Sequence, residues 1–173
     1  MSAKGCTFTG TIAVNFIRVA GKQCVVNGGT FDTWSNVFIS SEVDAGVCPL
    51  FESTNAKYLN VALYCIYIIN STTQINIIKN TFTDLTTGAI LIGDNIYAQQ
   101  DNYESIIVKD NFCKDVSNPS AGNTHFLLAL GKNIIVENNI IDNIQSNSGE
   151  SWGIYLKGRY STVQGNIISN VAS

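Results

Sequence analysis

The chain has 173 residues, of which 45% are hydrophobic and only 13% are charged, about half the charged share of an average globular protein. The net charge is −3 and no basic block is present, which argues against binding to nucleic acid. No apolar run is long enough to cross a bilayer and no signal peptide is visible, so membrane insertion is not expected. The length predicts one domain over residues 1–173.

Asn and Ile take the place of the missing charges, at about twenty residues each. Ile favours strands and Asn favours turns. The chain also has 14 Gly and only 2 Pro, which is typical of short strands joined by frequent turns. The composition therefore indicates a chain of many short β-strands.

Five cysteines are present, an odd number, with no Cys-x-x-Cys pair and no Cys/His spacing typical of a metal site. We therefore expect neither a metal ion nor another cofactor. Cys6, Cys24, Cys65 and Cys113 lie in apolar, strand-like runs, where a free thiol packs as a small hydrophobic group. Free thiols predict that the chain folds in a reducing compartment.

One pattern recurs along the chain: an apolar run, a corner with Asn or Gly, and a second apolar run, at residues 5–9, 23–32, 74–85, 105–116, 132–144 and 161–171. A further apolar strand recurs between these copies, at residues 16–19, 37–40, 66–69, 89–93, 126–131 and 153–158. The spacing fits a unit of about 22 residues with variable insertions. Repeats of this length are typical of solenoids, propellers and repeat arrays.

The repeat has neither the Leu ladder of leucine-rich repeats nor the apolar spacing of helical repeats. Its apolar run, its Asn-x-Phe or Asn-Ile corner and its Gly-Ile-x-Leu strand resemble the right-handed parallel β-helix superfamily of pectate lyases and phage tailspikes, over nearly the whole chain. The resemblance implies an all-β fold, a single-stranded right-handed parallel β-helix solenoid of about six coils. We expect the chain to be a fragment of a longer spike.

The recurring Asn residues have a structural interpretation. One residue at a tight corner must leave the β region of dihedral space, and Asn tolerates the left-handed conformation. Stacked coils would place Asn80, Asn111, Asn138 or Asn139, and Asn166 above one another. Their side-chain amides would then form a hydrogen-bonded ladder.

Two regions of the repeat are less regular. Gly28 or Gly29 would occupy the Asn corner in an earlier coil. Residues 41–65 do not fit the register, because residues 41–57 form either a long loop or a loop with an extra short strand around residues 50–51. Both alternatives are open at the level of sequence.

Loops at equivalent corners of a solenoid line up on one side. The insertions at residues 41–57, 94–104 and 159–160 therefore predict one edge, named here the first rim. Its candidate catalytic carboxylates are Asp101 and Glu104, with Asp94, Glu42 and Asp44 in reserve, and its candidate sugar-binding residues are Tyr97, Tyr103, Lys157, Arg159 and Tyr160. Paired carboxylates are the minimum for glycoside hydrolysis, aromatic rings pack against sugar faces, and a guanidinium pairs with anionic substituents.

The insertions at residues 116–125 and 145–152 predict a second rim on another side. It would contain His125, Glu150 and Trp152, together with Asp115. His125 is the only histidine and lies at a loop-to-strand junction, and we interpret it as structural rather than catalytic.

The recurring third strand is apolar on both faces. Alternation places Ile90, Ile92, Ile154 and Leu156 inward, and it places another apolar row outward: Leu91, Leu128 and Tyr155, with Tyr67 and Phe38 in line. An exposed apolar ladder predicts a covered face. We expect another subunit to cover it, since the resemblance to phage tailspikes implies a parallel homotrimer.

The resemblance implies a phage tailspike-like receptor-binding segment, in the virion tail or outside the cell, that recognises a bacterial surface polysaccharide and, if enzymatic, depolymerises it. Two alternatives stay open. One is a polysaccharide lyase or glycoside hydrolase of a cellular organism, although the polygalacturonase signatures Asn-Thr-Asp, Gly-His-Gly and Arg-Ile-Lys are absent. The other is a non-catalytic shaft or adhesin segment.

Overall fold

The structure is a computed structural model that describes residues 2–4, 7–9, 15–18, 23–40, 49–68, 73–93, 103–120 and 122–172. Its regular elements are twenty strands: β1 (Ser2–Lys4), β2 (Thr7–Thr9), β3 (Asn15–Arg18), β4 (Gln23–Asn27), β5 (Thr30–Asp32), β6 (Asn36–Ser40), β7 (Leu50–Thr54), β8 (Lys57–Leu59), β9 (Tyr64–Ile68), β10 (Gln74–Ile78), β11 (Thr81–Leu85), β12 (Gly88–Ile92), β13 (Ser105–Lys109), β14 (Phe112–Asn118), β15 (Thr124–Lys132), β16 (Ile134–Glu137), β17 (Ile140–Ser146), β18 (Ser151–Arg159), β19 (Thr162–Gln164) and β20 (Ile167–Ala172). Within these described ranges no helix is long and apolar enough to cross a membrane.

Every third strand belongs to the same parallel sheet. Sheet A has the order β1-β4-β7-β10-β13-β16-β19, sheet B has the order β2-β5-β8-β11-β14-β17-β20, and sheet C has the order β3-β6-β9-β12-β15-β18. Each coil thus adds one strand to each sheet, which gives six sets of three strands followed by β19 and β20. The predicted all-β fold, a right-handed parallel β-solenoid, is confirmed.

The core fills the space between the three sheets. Alternate strand residues point inward, and equivalent positions of successive coils stack on one another. In sheet B the rings of Phe31, Tyr58 and Phe82 form such a stack, with centroid distances of 5.3 and 4.9 Å. The Tyr58 hydroxyl is satisfied inside the core by Ser53 Oγ at 2.7 Å.

The predicted Asn ladder is confirmed at the corner between sheets A and B, and its third member is Asn139. The Oδ1 atom of Asn111 accepts the backbone N–H and the Nδ2 of Asn80, at 2.9 and 3.2 Å. Asn139 accepts the same pair from Asn111 at 3.0 and 2.9 Å. Asn166 accepts them from Asn139 at 2.9 and 2.8 Å. Each amide therefore joins its coil to the next.

The prediction that Asn occupies this corner because it tolerates the left-handed conformation was wrong. The ladder residues themselves are not left-handed. The left-handed residue is the one before each of them: Lys79, Asp110, Asn138 and Gly165, with φ between 53° and 63°. Gly28 holds this position in an earlier coil, with φ 73°. Asn is therefore selected at the ladder position for its amide group rather than for its backbone.

Residues 50–54 form a full strand of the solenoid. β7 pairs in register with β4 on one side and with β10 on the other. The predicted alternative of an extra strand near residues 50–51 is therefore the correct one, and residues 41–48 lie outside the described part of the chain. This coil was not recognised in the sequence because Ala56 occupies the position at which later coils have the ladder Asn.

Cys24, Cys65 and Cys113 are free and buried, as predicted, whereas Cys6 and Cys48 lie outside the described residues. Burial raises the pKa of the Cys65 and Cys113 thiols, so both are held in the neutral form. A neutral buried thiol packs as a small hydrophobic group.

The inward residues of sheet C also follow the prediction. Ile90 and Ile92 are fully buried, and Ile154 and Leu156 pack against the core. The outward ladder contains Tyr67, Leu91, Leu128 and Tyr155 in register. Phe38 is not part of it, because Phe38 pairs with Ile66 while Ile39 pairs with Tyr67.

Candidate functional site

The outer face of sheet C carries two adjacent rows of side chains. One row aligns Tyr64, Gly88, His125 and Trp152 across β9, β12, β15 and β18. The second row, three residues further along each strand, is the outward ladder of Tyr67, Leu91, Leu128 and Tyr155. Because parallel strands repeat at the same height in each coil, the rows bring residues from four coils onto one surface.

Five rings in these rows form a continuous chain, named here the aromatic arc. Ring centroids are 5.3 Å apart for Tyr67 and Tyr64, 5.6 Å for Tyr64 and His125, 6.4 Å for His125 and Trp152, and 4.7 Å for Trp152 and Tyr155. Such separations are those of packed aromatic pairs. His125 is the central ring and links the two outer pairs.

Gly88 explains how rings two coils apart come into contact. Gly88 lies between Tyr64 and His125 in the same row, and it has no side chain to separate their rings. A Cβ atom at this position would lie 2.9 Å from His125 Nε2 and 3.0 Å from the His125 carbonyl oxygen. The His125 ring therefore occupies the space that any other residue at position 88 would fill.

Two stacked loops adjoin the arc. Asn147 donates its backbone N–H to the Asn118 carbonyl at 3.3 Å. The Glu150 backbone N–H donates to Asn123 Oδ1 at 2.9 Å, and Ser146 Oγ donates to the Gly122 carbonyl at 2.6 Å. The loop after β17 thus supports the loop after β14, as expected for insertions at equivalent corners.

These elements enclose an open cleft of about 400 Å³. Its lining combines ring faces, two aliphatic residues and small polar groups: Tyr64, Thr87, Leu91, Asn118, Gly122, Asn123, His125, Leu128, Trp152 and Tyr155. Clefts of this size with convergent polar groups are typical of small-ligand and oligosaccharide sites. No Asp, Glu, Lys or Arg belongs to this lining within the described ranges.

His125 is more deeply buried than Asn118, the other buried polar residue of the described lining. The His125 side chain is 2% exposed, and neither ring nitrogen has a hydrogen-bond partner among the described residues. Burial lowers the pKa of His125 to about 4, because the charged imidazolium would lose its hydration. The imidazole is therefore neutral at pH 7, and the structural role predicted for this residue stays a prediction.

One described cation contacts the arc from outside the lining. The Nζ atom of Lys157 lies 5.2 Å from the centroid of the Tyr155 ring, a cation–π distance. Lys157 was predicted to bind substrate at the first rim, and it lies next to the cleft through this contact.

The first rim is a real corner, between sheets C and A. Asn133 joins two of its members, since its Nδ2 donates to the Glu104 carbonyl at 2.9 Å and its backbone N–H donates to the Arg159 carbonyl at 3.0 Å. Tyr160 is 81% exposed there. Asp101, Tyr97, Asp94, Glu42 and Asp44 lie outside the described residues, so the predicted Asp101–Glu104 pair stays a prediction.

Tyr103 requires a correction. Its ring is fully buried, and its hydroxyl donates to the Ile68 carbonyl at 3.4 Å. A Cβ added at Gly131 would lie 3.0 Å from the Tyr103 Cβ, so the side chain fits tightly beneath the next coil. A ring in this position does not offer its face to a sugar in solution.

The second rim is brought together in part. His125 and Trp152 both line the cleft, and Glu150 lies beside it through its bond to Asn123. Asp115 lies on sheet B, where its Oδ1 accepts Asn143 Nδ2 at 2.6 Å. No group of three or more His, Cys, Asp or Glu residues that could hold a metal ion occurs in the part of the chain that the structure describes.

The prediction missed Tyr64, Thr87 and the two amides, Asn118 and Asn123, as cleft residues. A signal was present, because Tyr64, His125 and Trp152 each stand two residues before an inward aliphatic residue of sheet C. Alignment of the repeats on that strand would have placed them in one row.

The chain matches no protein-family model, no curated protein and no solved structure. The cleft must therefore be interpreted from its own chemistry. Ring faces contact the C–H faces of sugars, and amides and hydroxyls bond sugar hydroxyls.

Proposed function

We propose that this chain is a carbohydrate-binding segment of a phage tailspike-like receptor-binding protein, and that the aromatic cleft holds a bacterial surface polysaccharide. The observation that carries the proposal is that the cleft is lined by the aromatic arc, by two aliphatic side chains, Leu91 and Leu128, and by two amides, Asn118 and Asn123. Membership of the pectate-lyase-like superfamily, and a location in the virion tail or outside the cell, are part of this proposal and rest on the sequence resemblance.

Binding rather than cleavage is the activity that the cleft supports. A glycosidase needs two carboxyl groups beside the scissile bond, and the described lining of the cleft contains none. Depolymerisation would require acids from another part of the chain, such as the predicted Asp101 and Glu104 pair. We propose recognition as the primary function and keep hydrolysis or lyase activity as an outcome to be measured.

The experiment is a binding titration against a panel of bacterial surface polysaccharides, with product analysis for cleavage. Trp152→Ala and Tyr155→Ala should each weaken binding about fivefold or more, because truncation of a buried aromatic anchor costs roughly 1–3 kcal/mol. Tyr160→Ala is the matched control, since this ring is 81% exposed on the first rim. Full binding by the Trp152 and Tyr155 variants, with loss in Tyr160→Ala and Arg159→Ala, would move the site to the first rim.

The homotrimer implied by the resemblance is also part of the proposal. The other subunit was expected on the outward ladder of sheet C, but three of those residues, Leu91, Leu128 and Tyr155, line the cleft, so we propose a different face for the contact. Phe112, Ile140 and Ile167 are in register on sheet B and are 37%, 43% and 60% exposed, which makes an apolar row available for a second copy away from the cleft. Light scattering of the purified chain should give three times the monomer mass, and Ile140→Lys should lower it. A monomer at all concentrations would contradict the trimer and leave the cleft proposal untouched.

A further inference from the structure

We infer that the aromatic cleft selects an uncharged sugar residue, one without carboxylate, phosphate, sulfate or free amine. This inference rests on the proposed function, because it names the class of sugar that the same cleft takes. It differs from the expectation drawn from Arg159, which predicted an anionic substituent on the glycan.

The first step is the charge of the lining. None of its described residues is Asp, Glu, Lys or Arg. Its two perturbed titratable groups are both held neutral at pH 7: burial lowers the pKa of His125 and raises the pKa of Tyr64. The lining therefore offers no opposite charge to an ion of either sign.

The second step is what an ion would lose. A charged group in the cleft gives up part of its hydration, and without a paired charge that loss is not compensated. Sugar hydroxyls lose less hydration free energy than an ion does, and hydrogen bonds with neutral amides can replace their bonds with water. The Oδ1 atoms of Asn118 and Asn123 already accept the backbone N–H groups of Ser120 and Glu150, both at 2.9 Å. These bonds fix the amides, and since no hydrogen bond from either Nδ2 group is seen among the described residues, we expect these groups to donate to a sugar oxygen.

The third step concerns the cation next to the cleft. Lys157 Nζ lies 5.2 Å from the Tyr155 ring centroid. It therefore contacts a ring of the arc, and it does not line the cleft with the amides of Asn118 and Asn123. Among the residues that the structure describes, Lys157 is the cation that contacts the arc, so an acidic sugar would have to place its charge at this edge to pair with it. Lys157→Gln removes that possibility and separates the two cases.

The test uses matched polysaccharides that differ in charge alone. Hyaluronan, alginate, polygalacturonate and a set of acidic bacterial capsular polysaccharides are each titrated beside their carboxyl-reduced forms, with neutral capsular polysaccharides included, at pH 7. The wild type should bind neutral or reduced members at least tenfold more tightly than their acidic partners. Binding should change less than twofold between 50 mM and 500 mM NaCl, since salt screens ionic attraction, and Lys157→Gln should leave the preference for neutral over acidic members unchanged.

The outcomes separate the two proposals. Equal or tighter binding of acidic members that is lost in Trp152→Ala overturns the neutral-sugar inference and leaves the proposed function standing. A preference for acidic members that disappears in Lys157→Gln assigns the selection to that lysine and also overturns the inference. If no polysaccharide binds in a way that depends on Trp152, the proposed function fails and the inference fails with it.

Discussion

The Asn corner and the aromatic arc are both stacks of side chains repeated from coil to coil, yet they treat polar atoms in opposite ways. At the corner, every ladder amide is bonded to the coil before it or after it, and the Asn111 side chain makes four such contacts. In the arc, both nitrogens of the buried His125 ring have no hydrogen-bond partner among the described residues. Buried polar groups normally have hydrogen-bond partners. The corner follows this rule and stabilises the fold, whereas the arc leaves buried ring nitrogens unpaired, which lowers the stability of the fold.

The two stacks also differ in what surrounds them. Asn80, Asn111 and Asn139 of the ladder are buried within the solenoid wall, so their amides are enclosed by protein, and Asn166 is half-buried. The arc lies on the outer face of sheet C beside an open cleft, so its rings contact both protein and solvent. Polar residues that repeat and satisfy one another therefore indicate the fold, whereas rings that repeat on an outer face indicate function.

The largest expected effect comes from breaking the ladder. Asn111→Val should lower the free energy of unfolding by about 4 kcal/mol, because buried partners on three residues lose their bonds, at roughly 1–3 kcal/mol for each unsatisfied group. These partners are the Asn80 backbone N–H, the Ile77 carbonyl and one bond to Asn139 Oδ1. Urea denaturation measures the change.

The control is Asn76→Val, at a half-exposed position of β10 where no side-chain hydrogen bond forms within the described residues. It should alter stability by less than about 0.5 kcal/mol. Equal losses in the two variants would show that the cost comes from introducing Val into this wall of the solenoid rather than from loss of the ladder bonds.

The next effect concerns His125 and pH. Its pKa is about 4 in the folded chain, against 6.5 for the unperturbed side chain. As the pH falls, the unfolded state therefore takes up the proton before the folded state does. The stability that depends on neutral His125 is fully present above pH 6.5 and is lost as the pH falls towards 4. The loss should be about 3 kcal/mol.

Because His125 is the only histidine, the difference between the wild type and His125→Phe isolates this term from the titrating carboxylates. Stability curves measured from pH 7.5 to 4 should converge or cross as the wild type weakens. Parallel curves over that range would mean that His125 is protonated as easily in the fold as in the unfolded chain.

A smaller effect should follow from Gly88→Ala. The new Cβ would lie 2.9 Å from His125 Nε2, so the ring must move away from Tyr64 and the arc must open. We expect stability to fall by about 2 kcal/mol and glycan binding to fall with it. Gly153→Ala is the control, since the atoms nearest to its Cβ would belong to the half-exposed Ile168 side chain; a similar loss of binding there would argue against a specific role for Gly88.

The fold could be predicted because its signal repeats. Asn80, Asn111 and Asn166 each precede a β-strand at the same point of the repeat, so they marked the corner without any structure. The coil from residue 50 was obscure because Ser53 and Ala56 take the place of a ladder residue. Its Ser53 hydroxyl donates to Asn80 Oδ1 at 3.1 Å, a contact that appears only once the coils are stacked.

The cleft could not be predicted in the same way because it depends on register to a single residue. The prediction placed Phe38 in line with Tyr67, whereas Ile39 is the residue that pairs with Tyr67. A register error of one residue assigns a strand's side chains to the opposite face of the sheet. Tyr103 shows the same limit, since its neighbours suggested a loop at the surface and its ring lies in the core. Contacts between coils, such as that of Gly88 with His125, leave no trace in the local sequence.

The most direct test of the proposal that the cleft binds a glycan is the fluorescence of Trp152 itself. The chain has two tryptophans, and Trp34 packs against the core, so Trp34→Phe leaves a single reporter in the arc. Addition of a polysaccharide that binds the wild type should give a saturable change in Trp152 emission, with the same affinity as the binding titration. Saturated binding with no change in that emission would contradict a glycan on the aromatic arc.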